Sequence, residues 1–335
     1  MDLKHLLKRG ALLAAANWQI VAIQFVAQTT LQVLLAVPII GAAILVAVLL
    51  GADLGDLLQG SLREIFTTIA STLLSEPVAL VAFMTAFAVV LLGGSVLMFA
   101  VKGGVVDVLV AANASAGPIE RDPMTVASLH SASTFTLPRF MAGCSRLFRQ
   151  FLTLGAGLMI VYAFSIGAYL TFVVYGYRAA GGRALVIGWT VIAAAAAALL
   201  VIWFTVVNLV YLLLQIAMAV DGVGLSQAVR SAARFIRVEF RDLATVFVVV
   251  LGLVVAATLA SALAWSGVGL IAFVPLVGLA VFPLQLAALL VRGLVFEYLG
   301  LTALGAYVTL YQAHAGRRAE SSDPSPVTSP LGHPA

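Results

Sequence analysis

Charged residues are scarce in this chain. Asp, Glu, Lys and Arg make up 10% of its 335 residues, whereas soluble proteins carry about 25%. Hydrophobic residues reach 63% and the mean hydropathy is +1.13. So few charges could not give two soluble domains a solvated surface. The composition therefore predicts an all-α membrane protein, a polytopic bundle of transmembrane helices.

Sequence patterns typical of catalysis and metal binding are also absent. Cys144 is the one cysteine, which excludes an internal disulfide and a cysteine-rich metal site. The three lysines, at positions 4, 8 and 102, do not follow the glycine-rich turn of a P-loop. The sequence has no zinc-binding helix pair, serine nucleophile elbow or pair of intramembrane carboxylates. We expect no enzyme, no cofactor and no metal, with intramembrane catalysis by dispersed residues as the alternative.

Charge-free stretches mark the membrane passes, since about 20 apolar residues cross a bilayer. They predict a single integral membrane domain over residues 1–313 and a disordered cytoplasmic tail over residues 314–335. The six predicted passes cover residues 20–50, 78–101, 150–175, 185–214, 243–266 and 284–311.

Prolines make two of these stretches ambiguous. The first pass is long enough to predict a tilt or a break at Pro38. Pro275 and Pro283 interrupt the last stretch, and a seventh pass would leave too short a connection between antiparallel helices. We therefore expect a re-entrant or tilted half helix over residues 267–282, followed by one full pass.

Basic residues are concentrated on one side of the predicted membrane. With six passes, fourteen of the eighteen Lys and Arg lie in segments on the N-terminal side, whereas the opposite loops carry Arg63, Arg178 and Arg183. The positive-inside rule then places both termini in the cytoplasm. The rule also accounts for the net charge of +4 without a nucleic-acid partner.

A basic segment precedes each odd-numbered pass, at residues 3–9, 138–149 and 226–241. We interpret the chain as three units, each an amphipathic helix followed by a transmembrane hairpin. In the third segment, arginine spacings of 4, 3 and 4 place the guanidinium groups within an arc of about 60°. That helix is expected to lie in the headgroup layer with its apolar side down, although a helix that only fixes topology is the alternative. The predicted contacts with anionic lipid headgroups are Arg230, Arg234, Arg237, Arg241, Arg146 and Arg149.

Polar side chains inside the passes form a second candidate site. Arg292 and Glu297 each cost about 2.5 to 3.5 kcal/mol at the bilayer centre, so both should face the bundle interior or a wet cavity. The first helix carries a polar stripe that begins at Asn17. The candidate intramembrane polar site, for a ligand or a proton, consists of Glu297, Arg292, Gln24, Gln28 and Gln32. Simple interhelical hydrogen bonds are the alternative.

A ridge of small residues lies on the fifth pass. Gly252, Ala256, Ala260 and Ala264 recur at a spacing of four. Such a ridge predicts the close-packed face of this helix, either within the chain or in a dimer.

Two short segments carry a family resemblance. They are Asp221-Gly-Val-Gly-Leu-Ser-Gln-Ala-Val-Arg-Ser before the fifth pass and Ala306-Tyr-Val-Thr-Leu-Tyr311 closing the last. They resemble the membrane domain of the glycerophosphoryl diester phosphodiesterase family and related six-pass families of bacterial inner membranes. The catalytic residues of that family's soluble domain have no counterpart in this chain. The resemblance implies a lipid-proximal module of the bacterial inner membrane.

Taken together, these patterns predict a non-enzymatic inner-membrane protein that organises or senses lipid, or scaffolds a protein partner in the membrane. The alternative is a small transporter or permease component. Its cavity would lie between the polar stripe of the first helix and the two ionisable residues of the last, with residues 267–283 as its gate.

Overall fold

The computed structural model describes residues 2–50, 71–72, 74–121, 126–180, 183–272 and 277–322. Its helices are α1 (Leu3–Ala16), α2 (Trp18–Leu50), α3 (Pro77–Ser115), α4 (Val126–Ala132), α5 (Leu137–Ala179), α6 (Arg183–Asp221), α7 (Leu225–Val238), α8 (Phe240–Ala272) and α9 (Val277–Ser322). These ranges contain no strand, and α2, α3, α5, α6, α8 and α9 are long and apolar enough to cross a membrane. The all-α fold with six spans is confirmed.

Helices continue through two of the prolines expected to interrupt them. α2 is unbroken at Pro38, and α9 passes through Pro283. Residues 267–272 extend α8 and residues 277–282 begin α9, so the expected half helix is instead divided between two long helices. A missing backbone donor is tolerated in a membrane-spanning helix when its surroundings re-satisfy the freed carbonyl.

The long helices exceed the thickness of a bilayer. α3, α5, α6 and α9 contain 39 to 46 residues, or about 58 to 69 Å at the α-helical rise, whereas the hydrocarbon core is about 30 Å thick. The second basic segment, residues 138–149, is therefore part of α5, while α1 and α7 are separate helices. The predicted tail is wrong for residues 314–322, which continue α9; residues 323–335 lie outside the described ranges.

The chain divides into two compact units. Unit 2, Ala22–Lys102, contains most of α2 and of α3. Its buried cluster consists of Ala42, Val46 and Ala79. Gly94 leaves room for Leu31, since a Cβ on that glycine would lie 2.1 Å from the Leu31 side chain. The two helices of unit 2 thus pack as a hairpin.

Unit 1, Met1–Val21 and Gly103–Ala335, buries its core at one end of its long helices. We call this part the base: α1, α4, α7 and residues 17–21, 103–121, 133–155, 211–221, 240–246 and 301–322. Its largest fully buried side chains include Tyr311, Phe151, Phe235, Leu6, Leu13, Ile20, Leu109, Leu213 and Leu301. Beyond the base, the α5–α6 and α8–α9 hairpins expose large apolar side chains such as Phe164, Leu199 and Leu259. The hairpins therefore present an apolar surface suited to lipid or to another membrane protein.

Candidate functional site

Two glycines bring α1 into backbone contact with α9. A Cβ on Gly10 would lie 2.3 Å from the carbonyl oxygen of Thr302, and one on Gly305 would lie 3.0 Å from Gly10 Cα. Beside this crossing, the Tyr298 hydroxyl donates to the Ala11 carbonyl at 3.1 Å. Because the helices cross without intervening side chains, the adjacent Arg9 is fixed at the centre of the base.

Arg9 binds the loop that follows α3. Its guanidinium donates to the Glu120 carboxylate at 2.7 Å and to the Gly117 carbonyl at 2.6 Å. Both charged side chains are nearly buried, at 12% and 10% exposed. Burial by itself raises the pKa of the Glu120 carboxyl, but the hydrogen bond from its own backbone amide and the Arg9 guanidinium outweigh burial and hold that pKa below its usual range. Glu120 is therefore ionised at neutral pH and ties the loop to α1.

Asn113 connects this ion pair to the end of α9. Its Oδ1 accepts from Arg9 Nε at 2.6 Å and from the Thr309 hydroxyl at 3.0 Å, while its Nδ2 donates to Gln312 at 2.6 Å. Sequence analysis missed this network. The available signal was weak, because Asn113 and Gln312 are single amides far apart in the chain and match no motif.

Asn17 has a structural role rather than a place in a polar stripe. It separates α1 from α2 and is fully buried. Its Nδ2 donates to the carbonyls of Leu13 and Ala132, and its Oδ1 accepts from the amides of Thr134 and Phe135, all at 2.8 to 3.0 Å. All four hydrogen-bonding positions of the amide are thus filled.

The candidate intramembrane polar residues are divided between the units. Gln24, Gln28 and Gln32 belong to unit 2, where Gln28 and Gln32 are exposed. Glu297 and Arg292 belong to unit 1 and face different sides of α9, with Glu297 buried and Arg292 exposed. That these five residues form one site stays a prediction.

Arg292 lies in a cleft between α8 and α9. The cleft has a volume of about 380 Å³ and is lined by Ala257, Ala260, Ser261, Ala264, Ala288, Leu289, Val291, Arg292, Val295 and Phe296. The Arg292 Cζ atom lies 5.7 Å from the centroid of the Phe296 ring, a cation–π contact. Among the residues that the structure describes, no carboxylate forms an ion pair with Arg292.

The small-residue ridge does not form a close-packed face within unit 1. Ala260 and Ala264 line the cleft, and a Cβ on Gly252 would meet nothing within 4 Å. The small side chains of α8 instead leave room beside α9.

Arg230, Arg234 and Arg237 of α7 are exposed, as is Arg241 in the first turn of α8; we call these four residues the α7 arginine face. Contrary to the expectation that its apolar side faces lipid, Ala228, Ala232 and Phe235 on the other side of α7 are buried within the protein. Phe235 is fully buried, with its ring centroid 5.1 Å from that of Tyr311 and 5.4 Å from that of His314. Burial of this aromatic contact favours protein over headgroups.

An ion pair and a hydrogen bond connect α9 to the residues that flank α7. At its C-terminal end, Glu239 lies 2.6 Å from Arg317 and 3.6 Å from His314. Before its N-terminal end, Asp221 accepts a hydrogen bond from the Tyr311 hydroxyl at 2.7 Å. The arginine face is therefore held by α9 in one orientation.

The other two arginines expected to contact lipid lie on α5. Arg146 forms an ion pair with Asp107 of α3 although 60% of its side chain is exposed, and Arg149 is exposed. The two helices approach closely here, since a Cβ on Gly143 would lie 2.7 Å from Asp107. Arg146 therefore has a structural partner in addition to any lipid.

These features define a helical multi-pass protein with six membrane-spanning helices, a polar base and exposed apolar hairpins. Comparison with protein-family models, with curated proteins and with solved structures finds no match to this chain. The resemblance to the membrane domain of the glycerophosphoryl diester phosphodiesterase family stays a prediction.

Proposed function

We propose that this protein is a non-enzymatic, lipid-organising scaffold of the bacterial inner membrane, with both termini and the base on the cytoplasmic side. The observation that carries the proposal is the α7 arginine face, exposed guanidinium groups on α7 and at the start of α8, with Phe235 on the opposite side of α7 buried against Tyr311 of α9. Anionic headgroups of the cytoplasmic leaflet are the partner that suits this surface.

The fixed orientation of α7 supports lipid binding. A basic residue near an anionic membrane surface contributes about 1 kcal/mol of attraction, and a guanidinium can hold a phosphate through two parallel hydrogen bonds. Because Phe235 and Glu239 already immobilise the helix, little further ordering of the backbone accompanies binding. The row therefore gathers several anionic lipids at one place.

The apolar hairpins support the same function. Phe164 is 78% exposed and Leu199 is 67% exposed in the absence of lipid. Such side chains contact acyl chains or a membrane partner, which complements headgroup binding at the base. A transporter would require a polar path, whereas nine of the ten residues that line the α8–α9 cleft are uncharged and mostly apolar, which favours the scaffold.

Lipid co-purification tests the proposal. The triple variant Arg230→Gln, Arg234→Gln, Arg237→Gln should retain at least fivefold less phosphatidylglycerol and cardiolipin than the wild type, measured by native mass spectrometry of protein released from nanodiscs. The matched triple Arg→Lys variant keeps the charge and should retain most of the anionic lipid. Equal anionic lipid on the Gln variant and the wild type would count against the scaffold.

A further inference from the structure

The cleft between α8 and α9 combines an apolar lining with a single cation. Small side chains of α8, among them Ala260 and Ala264, form one wall, and Val295 and Phe296 contribute to the other. Arg292 is nine residues from Pro283, where the apolar span of α9 begins, or about 13 Å along the helix. The guanidinium therefore belongs to the interior of the span rather than to its end.

A guanidinium at this depth needs an anionic partner. It carries five N–H donors and no acceptor, and hydrocarbon offers those donors nothing. The Phe296 ring contributes a cation–π contact, which stabilises the charge but accepts no conventional hydrogen bond from it. A carboxylate supplies two acceptor oxygens in the geometry that matches the guanidinium fork.

We propose that the α8–α9 cleft binds a long-chain fatty acid, with its carboxylate on Arg292 and its acyl chain along the small residues of α8. The volume of about 380 Å³ is at the lower end of small-ligand pockets, about 300 to 1,000 Å³, and suits one chain better than the two of a phospholipid. A carboxylic acid can also enter hydrocarbon in its neutral form, and beside Arg292 the guanidinium stabilises the carboxylate once the acid's proton has passed to water. A phosphodiester carries its charge throughout, so its transfer to this depth is costlier.

Photo-crosslinking in neutral phosphatidylcholine nanodiscs tests the site. Palmitic acid that carries a diazirine on its chain should label peptides containing residues 257–264 and 288–296 of the wild type. Unlabelled palmitate should compete for the site at concentrations at least tenfold lower than methyl palmitate does, because the ester has no negative charge.

Four variants test separately whether labelling needs the charge of Arg292 and the free space of the cleft. Arg292→Gln should lower labelling at least fivefold, and Ala260→Leu should lower it equally with the charge intact. Ala262→Leu is the control, since Ala262 is an exposed residue of the same helix that does not line the cleft. Arg292→Lys, which keeps the charge, provides a second test if Arg292→Gln fails to fold as a monodisperse protein, and should retain partial labelling that palmitate still competes.

Three results would overturn the fatty-acid site: equal labelling of wild type and Arg292→Gln, equal competition by the methyl ester, or stronger competition by phosphatidylglycerol than by palmitate. The proposal rests on the scaffold function only in that the hairpins face lipid. Anionic lipid retained by the α7 arginine face is measured independently, so either proposal can fail alone.

Discussion

Two buried asparagines, Asn17 and Asn113, are each held by several hydrogen bonds. Asn17 donates twice and accepts twice, and Asn113 links Arg9, Thr309 and Gln312. A buried polar group left without a partner costs about 1 to 3 kcal/mol, so these residues specify one arrangement of the surrounding helices. Gln28, by contrast, is exposed on α2.

The Arg9–Glu120 ion pair predicts acid sensitivity. Because the folded-state pKa of Glu120 lies below its usual range, the ion pair stabilises the protein fully above the unfolded-state pKa of about 4.3. That stabilisation is lost as the pH falls through the lower folded-state value. The wild type should therefore lose more thermal stability than Glu120→Gln between about pH 5 and pH 3, as measured by unfolding midpoints in detergent.

Glu320→Gln is the matched control for this measurement, since Glu320 is exposed near the end of α9. The control variant should follow the wild-type pH profile. If Glu120→Gln and the wild type showed the same dependence of the unfolding midpoint on pH, the ion pair would not stabilise the protein.

At the scale of elements, the crossing of α1 and α9 depends on the absence of two side chains. The buried residues of α1, Leu6, Gly10, Leu13 and Ala14, recur at helical spacing on one face. Gly10 lies at the point where this face meets α9, and Gly305 lies opposite. Close approach of this kind is the common use of glycine between helices in membranes.

Gly10→Ala should separate these helices. Its new Cβ would overlap the backbone of Thr302 and Ala306, which cannot move aside as a flexible side chain can. We expect a loss of about 2 kcal/mol or more, seen as a lower unfolding midpoint and as faster hydrogen exchange in α1.

Gly300→Ala provides the comparison on α9, where a Cβ would meet nothing within 4 Å. This variant should be neutral or gain up to about 1 kcal/mol from helix propensity. Equal unfolding midpoints for Gly10→Ala and Gly300→Ala would contradict the backbone contact between α1 and α9.

At the scale of the whole molecule, composition and charge-free length predict the six spans well, because hydropathy follows directly from the solvent around a helix. The base is harder to predict. Apolar residues such as Val105, Leu109 and Ala112 would suit a membrane pass but form protein core, and Arg9 contacts residues more than 100 positions away. Local sequence patterns carry no information about such distant partners.

The α7 segment shows the same limit. Its arginine spacing predicts the exposed face, which the structure contains. The sequence of the apolar face could not predict that Phe235 packs against α9 rather than lipid, because protein core and lipid select the same residue types.

The side of the membrane on which the base lies decides whether the arginine face meets anionic headgroups of the cytoplasmic leaflet. Single cysteines, introduced as Gln227→Cys on α7 and Arg178→Cys at the far end of α5 in a Cys144→Ala background, test this directly, since both positions are exposed. With a membrane-impermeant maleimide added to intact spheroplasts, we expect labelling of the Arg178→Cys variant at once and of the Gln227→Cys variant only after permeabilisation. Labelling of Gln227→Cys in intact spheroplasts would place the base outside the cell and contradict the proposed scaffold.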